Sequence, residues 1–169
     1  RMHGDQGGHT FALIVIAVVV VAIVAWVIGI YNGLARARIR VKEAWSGIDV
    51  QLKRRSSLIP NLVETVKGYA KQEKDTLTAV VEARAKATSV QVSAADLGDP
   101  AKMAQFQSAQ GALSQSLGRL LATVEAYPDL KSNQNFLALQ SQLEGTENRI
   151  NVSIKDYNEA VQSYNTTIR

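Results

Sequence analysis

The sequence predicts an all-α protein, an N-terminal transmembrane helix followed by an antiparallel, up-and-down four-helix bundle. Three observations predict it. Residues 11–30, FALIVIAVVVVAIVAWVIGI, form an unbroken apolar run with no charged side chain. Downstream, apolar residues recur at helical spacing in stretches separated by turn signals. Beyond the run the chain is rich in Ala, Gln, Ser, Asn and Glu, with three Pro in all, a composition that favours helices over strands.

Residues 1–10, RMHGDQGGHT, lack apolar periodicity and are expected to be a flexible exposed leader. Arg1 is not an initiator residue, so the natural start is left open. His3 and His9 are the only two histidines, and with Asp5 alone beside them they offer too few ligands for a metal site. The apolar run then rises about 30 Å as a helix, the thickness of a bilayer's hydrocarbon core. A domain of this size has no core large enough to surround a helix that is apolar on every side. A transmembrane helix over 11–31 follows. The rival is a secretory signal peptide, whose apolar region is about 7 to 15 residues with a small-residue cleavage site after it. This run is longer, and although Gly33-Leu34-Ala35 is cleavage-like, a basic helical stretch follows, which favours a signal anchor.

Trp26 and Tyr31 lie toward the end of the run, where amphipathic rings favour the headgroup zone. Arg36, Arg38, Arg40 and Lys42 come next, whereas Arg1 is the only Lys or Arg before the run. The excess of cations on the C-terminal side predicts a single-pass protein of the inner or plasma membrane, its N-terminus outside and its bundle cytoplasmic. These six residues are the candidate membrane-interface site; the cations read first as a solvated helix face, and in the sharper reading those nearest the run engage anionic headgroups at about 1 kcal/mol each.

Residues 32–169 make up the helical domain. Leu34, Val41, Trp45, Ile48 and Leu52 share one helix face, and Arg36, Arg40, Glu43, Asp49, Lys53 and Arg54 take the other. At Ser56–Pro60 two readings are open. Ser57 caps a new helix with Pro60 in its first turn, or one helix continues with a kink, since Ile59, Leu62, Val66 and Tyr69 keep the earlier phase. The break near Ser57 is preferred. A second helix over about 58–88 then places Leu62, Val66, Tyr69, Leu77, Val80 and Val81 inward, and residues 88–98 read as a loop. Asp99 and Pro100 restart a helix as N-cap and first residue, with Phe106, Leu113, Leu117, Leu120 and Val124 inward. Tyr127-Pro128-Asp129 ends it. The last helix runs from about 133 to 168, with Phe136, Leu143, Ile150, Tyr157 and Tyr164 every seven residues and Leu139, Thr146, Ile154, Ala160, Val161 and Ile168 widening the stripe. Such a partly filled heptad suits a bundle or coiled coil, and short turns make its helices antiparallel neighbours.

Two segments then resemble a known family. Residues 44–73, AWSGIDVQLKRRSSLIPNLVETVKGYAKQE, and the stretch from Leu121, LLATVEAYPDLKSNQNFLALQSQLEGTENRIN, with the pairs Tyr157-Asn158 and Tyr164-Asn165, are similar to the LemA family over about 31–169. The resemblance implies one N-terminal membrane helix, its short N-terminus outside, and a four-helix domain; it implies no activity. Gln72 stands where many relatives have His, and the sequence stops before the Phe- and Pro-containing tail that often follows.

The sequence offers little for catalysis. There is no Cys, no His past the leader, no GxxxxGK[ST] or GxGxxG, and no Glu-x-x-His pair for a carboxylate-bridged metal. Glu64, Glu73, Glu82, Glu125, Glu144 and Glu147 are scattered among polar neighbours. No catalytic, cofactor or metal residue is assigned. Trp45 and Tyr69 read as core, Asn61, Asn133, Asn135, Asn158 and Asn165 as helix caps or bridges, and Lys53-Arg54-Arg55 as a polar helical turn, too small for nucleic acid. The function expected is a non-catalytic, membrane-anchored scaffold of the bacterial cell envelope. Its partners are the lipid bilayer and further copies of itself as a homo-oligomer. The alternatives are a regulatory adaptor for another membrane protein, such as a peptidase or transport system, and a ligand-binding domain centred on Asp49, Asn61 and Asp129.

Overall fold

The computed structural model of the chain describes residues 6–168. Among them there are five α-helices, one 3-10 turn and no strand: α1 (Gln6–Tyr69), α2 (Lys74–Ser89), the 3-10 turn Ala94–Gly98, α3 (Pro100–Val124), the short α4 (Pro128–Lys131) and α5 (Gln134–Thr167). Of the expected leader, residues 6–10 are already the first turns of α1, where Thr10 Oγ1 donates to the carbonyl of Gln6. His3 and Asp5 lie outside the described residues.

The expected break near Ser57 does not occur. α1 continues through Pro60, and Ser57 Oγ donates backward to the carbonyl of Arg54 at 2.8 Å instead of capping a new helix. A proline inside a helix leaves the carbonyl four residues earlier without its amide donor. In α1 that carbonyl belongs to Ser56, and Arg84 Nε of α2 donates to it at 2.8 Å. A side chain from the neighbouring helix thus fills the position that Pro60 vacates. The chain turns instead at residues 70–73, where Ala70 is fully buried and the Glu73 carbonyl starts the hydrogen-bonding of α2 by accepting from Leu77. Tyr69 and Val81, both expected inward, are exposed, at 44% and 51%.

The other helix starts follow local chemistry. Asp99 accepts from the amides of Ala101 and Lys102 at 3.1 and 3.3 Å, with Pro100 as first helical residue. Asn133 Oδ1 accepts from the amide of Phe136 at 3.0 Å at the head of α5. Phe106, Leu113, Leu117, Leu120 and Val124 of α3 are all buried, as are Phe136, Leu143, Thr146, Ile150 and Ala160 of α5. Ile154 and Ile168, expected to widen that stripe, are exposed.

Packing divides the chain into two units, one of Ala44–Tyr157 and one of the described residues before and after it; α1 and α5 run through both. Within Ala44–Tyr157, α1 and α5 lie antiparallel in a constant register. Trp45 stacks edge-on against Tyr157, Arg55 bonds Glu147, and Asn133 Nδ2 donates to the Tyr69 hydroxyl, so each step along α1 is matched by an equal step back along α5. With α2 and α3 these helices enclose two apolar clusters. The larger includes Ile59, Leu62, Val66, Val80, Leu113, Leu120, Leu130 and Phe136. The smaller is built on Trp45, Ile48, Leu52, Phe106 and Ile150.

Candidate functional site

Two groups of side chains stand out from this architecture. The first is the expected membrane-interface set. Trp26 and Tyr31 are both more than two-thirds exposed, and Arg36, Arg38, Arg40 and Lys42 follow them in the same helix, Arg36, Arg38 and Arg40 at its surface. At about 100° per residue, Arg36 and Arg40 share one side of α1 while Arg38 and Lys42 share the opposite side. No acidic residue occurs from Gln6 to Lys42; the first is Glu43. The cations therefore encircle the helix without a carboxylate among them, a distribution suited to a surface that meets the helix from all sides. Over 11–30 no side chain is buried, and this part of α1 is long and apolar enough to cross a membrane.

The second group lies inside the bundle and was not anticipated. Arg55, expected in a polar helical turn, is only 2% exposed. Its Nη1 donates to Glu147 Oε1 at 2.7 Å and to Ser114 Oγ at 2.8 Å, and its Nη2 donates to Gln110 Oε1 at 2.7 Å. The guanidinium joins α1, α3 and α5 at one level. That level separates the two apolar clusters: Leu52 and Ile59 flank Arg55 on α1, Phe106 and Leu113 flank Gln110 on α3, and Leu143 and Ile150 flank Glu147 on α5. Among the described residues, Arg55 Nε, Gln51 Oε1 and Ser56 Oγ are buried without a hydrogen-bond partner. A signal was present, since Arg55 falls in the series Ile48, Leu52, Arg55, Ile59, Leu62, Val66, whose steps alternate four and three. A buried ionic layer of this kind resembles the polar positions that fix helix register at some cost in stability.

The remaining polar residues tie the ends of the bundle together. Tyr127 donates to Glu73 Oε1 at 2.9 Å, and this bond to a carboxylate raises the phenol above its ordinary range. Burial does the same to Tyr157 beside Trp45. Asp96 is held below the usual carboxylate range, chiefly by the backbone N–H of Ser93, with the Ser93 hydroxyl and Lys102 adding to it. The residues considered for a ligand site are not drawn into one constellation. Asp49 pairs with Lys53 one turn on at 2.9 Å, Asn61 is exposed on α1, and Asp129 lies in α4. Among the described residues no group of three or more His, Asp or Glu side chains is placed to hold a metal ion.

Known proteins resemble this chain over most of its length. Protein LemA of Metamycoplasma hominis is 27% identical over 164 residues, which cover 96% of this chain and 70% of the relative. Magnetosome protein MamQ 2 of Paramagnetospirillum magneticum is 29% identical over 178 residues, covering 95% of this chain and 65% of the relative. Magnetosome protein MamQ of Magnetospirillum gryphiswaldense is 24% identical, with 92% and 64% covered. The chain therefore spans about two thirds of the length of these relatives. The profile of the LemA family matches residues 44–169, beginning one residue before Trp45 and taking in the whole buried polar layer, and the chain belongs to that family.

Proposed function

We propose that this protein is a membrane-anchored helical scaffold that works without catalysis. α1 crosses a bilayer once through residues 11–31, the cations at 36, 38, 40 and 42 rest against anionic headgroups, and the bundle faces the cytoplasm, where copies associate with one another. The observation that carries this reading is that one uninterrupted helix is apolar and wholly exposed over 11–30 and then, from Trp45 on, contributes core side chains to a bundle. Tethering raises the concentration of bundles in the membrane plane, so that weak face-to-face contacts suffice for assembly. The relatives' names support a structural role, since magnetosome protein designates a body to which a protein belongs and not a reaction.

The chain has no cysteine, so introduced thiols report cleanly. In intact cells, a membrane-impermeant maleimide is expected to label Gly7→Cys and to leave Gln115→Cys unlabelled until lysis; the reverse pattern overturns the orientation. Mass photometry of the detergent-extracted full chain is expected to give multimers. A monomer at every concentration ends the scaffold reading.

A further inference from the structure

We propose that the groove between the end of α1 and the start of α2 docks an acidic amphipathic helix of a partner protein. The groove has a volume of about 560 Å³. Its floor is apolar, made by half-buried Val63, buried Leu77 and exposed Val81, and its rim carries Lys67, Lys71 and Lys74, all exposed. Among the described residues none of these three lysines has a carboxylate within ion-pair distance, whereas Lys53, Lys102 and Lys131 each do. Glu64 and Asp75 do not line the groove, and Glu73 is engaged by Tyr127.

The occupant follows from the combination. A nucleic-acid backbone or a free phosphate has nothing to place on a floor of Val, Leu and Val. A basic segment is repelled. The two walls are about two helical turns long, which matches a helix presenting apolar anchors at i, i+4 and i+7. Lysine stems lie along apolar surface while their ammonium groups stay in water, so Asp or Glu flanking the anchors meets them at the rim. The position of Val81 fits the same account: an apolar side chain on the outer surface of α2 is covered when the groove is filled. Such a partner suits an adaptor role and is independent of self-association.

The test uses the full chain in nanodiscs of zwitterionic lipid and a fluorescein-labelled synthetic helix with a Leu stripe flanked by Glu, followed by anisotropy. Saturable binding is expected, weakened about tenfold or more by the Lys67→Glu, Lys71→Glu, Lys74→Glu triple variant, which corresponds to about 0.5 kcal/mol for each exposed charge pair. Val81→Asp is expected to weaken it with all three lysines intact, and circular dichroism verifies that both variants fold. Equal affinity of the triple variant overturns the proposal. So does equal binding of a peptide of the same composition with its Leu stripe scrambled. Two further outcomes overturn it by assigning the groove elsewhere: binding of myristate or phosphatidylglycerol vesicles but not of the peptide points to anionic lipid, and a change in particle size caused by the triple variant without peptide points to a second copy.

Discussion

Residues 11–30 and residues 45–66 lie on one continuous helix with one backbone geometry, yet they dispose of apolar surface in opposite ways. The first stretch is apolar on all sides and buries nothing within the molecule. The second gathers most of its apolar side chains in a stripe, and Trp45, Ile48, Leu52, Ile59, Leu62 and Val66 along it are all buried, while Val50 stays exposed. Helix formation is therefore not what distinguishes an anchor from a bundle element. The width of the apolar face decides it: a full circumference requires a surrounding apolar solvent, and a stripe requires only partner helices.

The strongest way to break the comparison is to make the first stretch unfit for lipid. Arginine at a membrane helix centre costs about 2.5 to 3.5 kcal/mol, so Val19→Arg with Val20→Arg is expected to remove roughly 5 to 7 kcal/mol of insertion free energy. After carbonate extraction the variant is expected in the supernatant, its bundle melting where the parent does. Retention in the pellet would sink the membrane reading of 11–30. The same comparison is sharpened by one substitution made at two places on α1. Leu62 is fully buried and Leu13 is 65% exposed. Leu62→Ala is expected to lower bundle stability by about 2 to 5 kcal/mol, and Leu13→Ala to leave the thermal midpoint unchanged in circular dichroism.

Much of this contrast is legible in the sequence because it rests on periodicity. The exposed apolar stretch of α1, the Asp99–Pro100 start, the α3 stripe and the Asn133 cap all follow from residue type and spacing, since their causes lie within a few residues. Two features escape such reading because their causes lie on other helices. Pro60 looks like a helix boundary, yet the helix continues, and the donor at the Ser56 carbonyl is Arg84, 28 residues away on another helix. The real turn at 70–73 has neither Pro nor a positive-φ residue to announce it; the contacts of Ala70 with the core and of Glu73 with Tyr127 place it. Arg55 is a third case. Its charge suggests solvent, while its position in the four-and-three series assigns it to the core, and the acceptors that decide between the two come from α3 and α5.

Those acceptors make the polar layer asymmetric. Arg55 is buried, whereas the Glu147 side chain is 42% exposed and can return to water when its partner is lost. Removing the carboxylate leaves a buried guanidinium with only neutral acceptors; removing the guanidinium leaves groups that rehydrate. Glu147→Ala is accordingly expected to cost about 2 kcal/mol, below the value of roughly 3 to 5 for a fully buried pair, and Arg55→Met less than about 1 kcal/mol. Urea unfolding followed at 222 nm checks the order. If Arg55→Met is the more damaging, the layer contributes net stability and the register account fails.

The smallest effect tests the continuity on which the comparison depends. If Arg84 Nε replaces the amide that Pro60 lacks, the two residues must be coupled although they belong to different helices. In the parent, Arg84→Ala leaves the Ser56 carbonyl without a donor and is expected to cost about 1 to 1.5 kcal/mol. In the Pro60→Ala background the amide of residue 60 serves that carbonyl, and the cost of Arg84→Ala is expected to fall below about 0.5 kcal/mol, a coupling near 1 kcal/mol. Pro60→Ala alone is expected to stabilise by less than the roughly 3 kcal/mol usual for an interior proline, because the bond that proline removes has already been replaced. Additive effects in this cycle would mean that Arg84 is incidental, and that the helix passes Pro60 without needing a donor borrowed from α2.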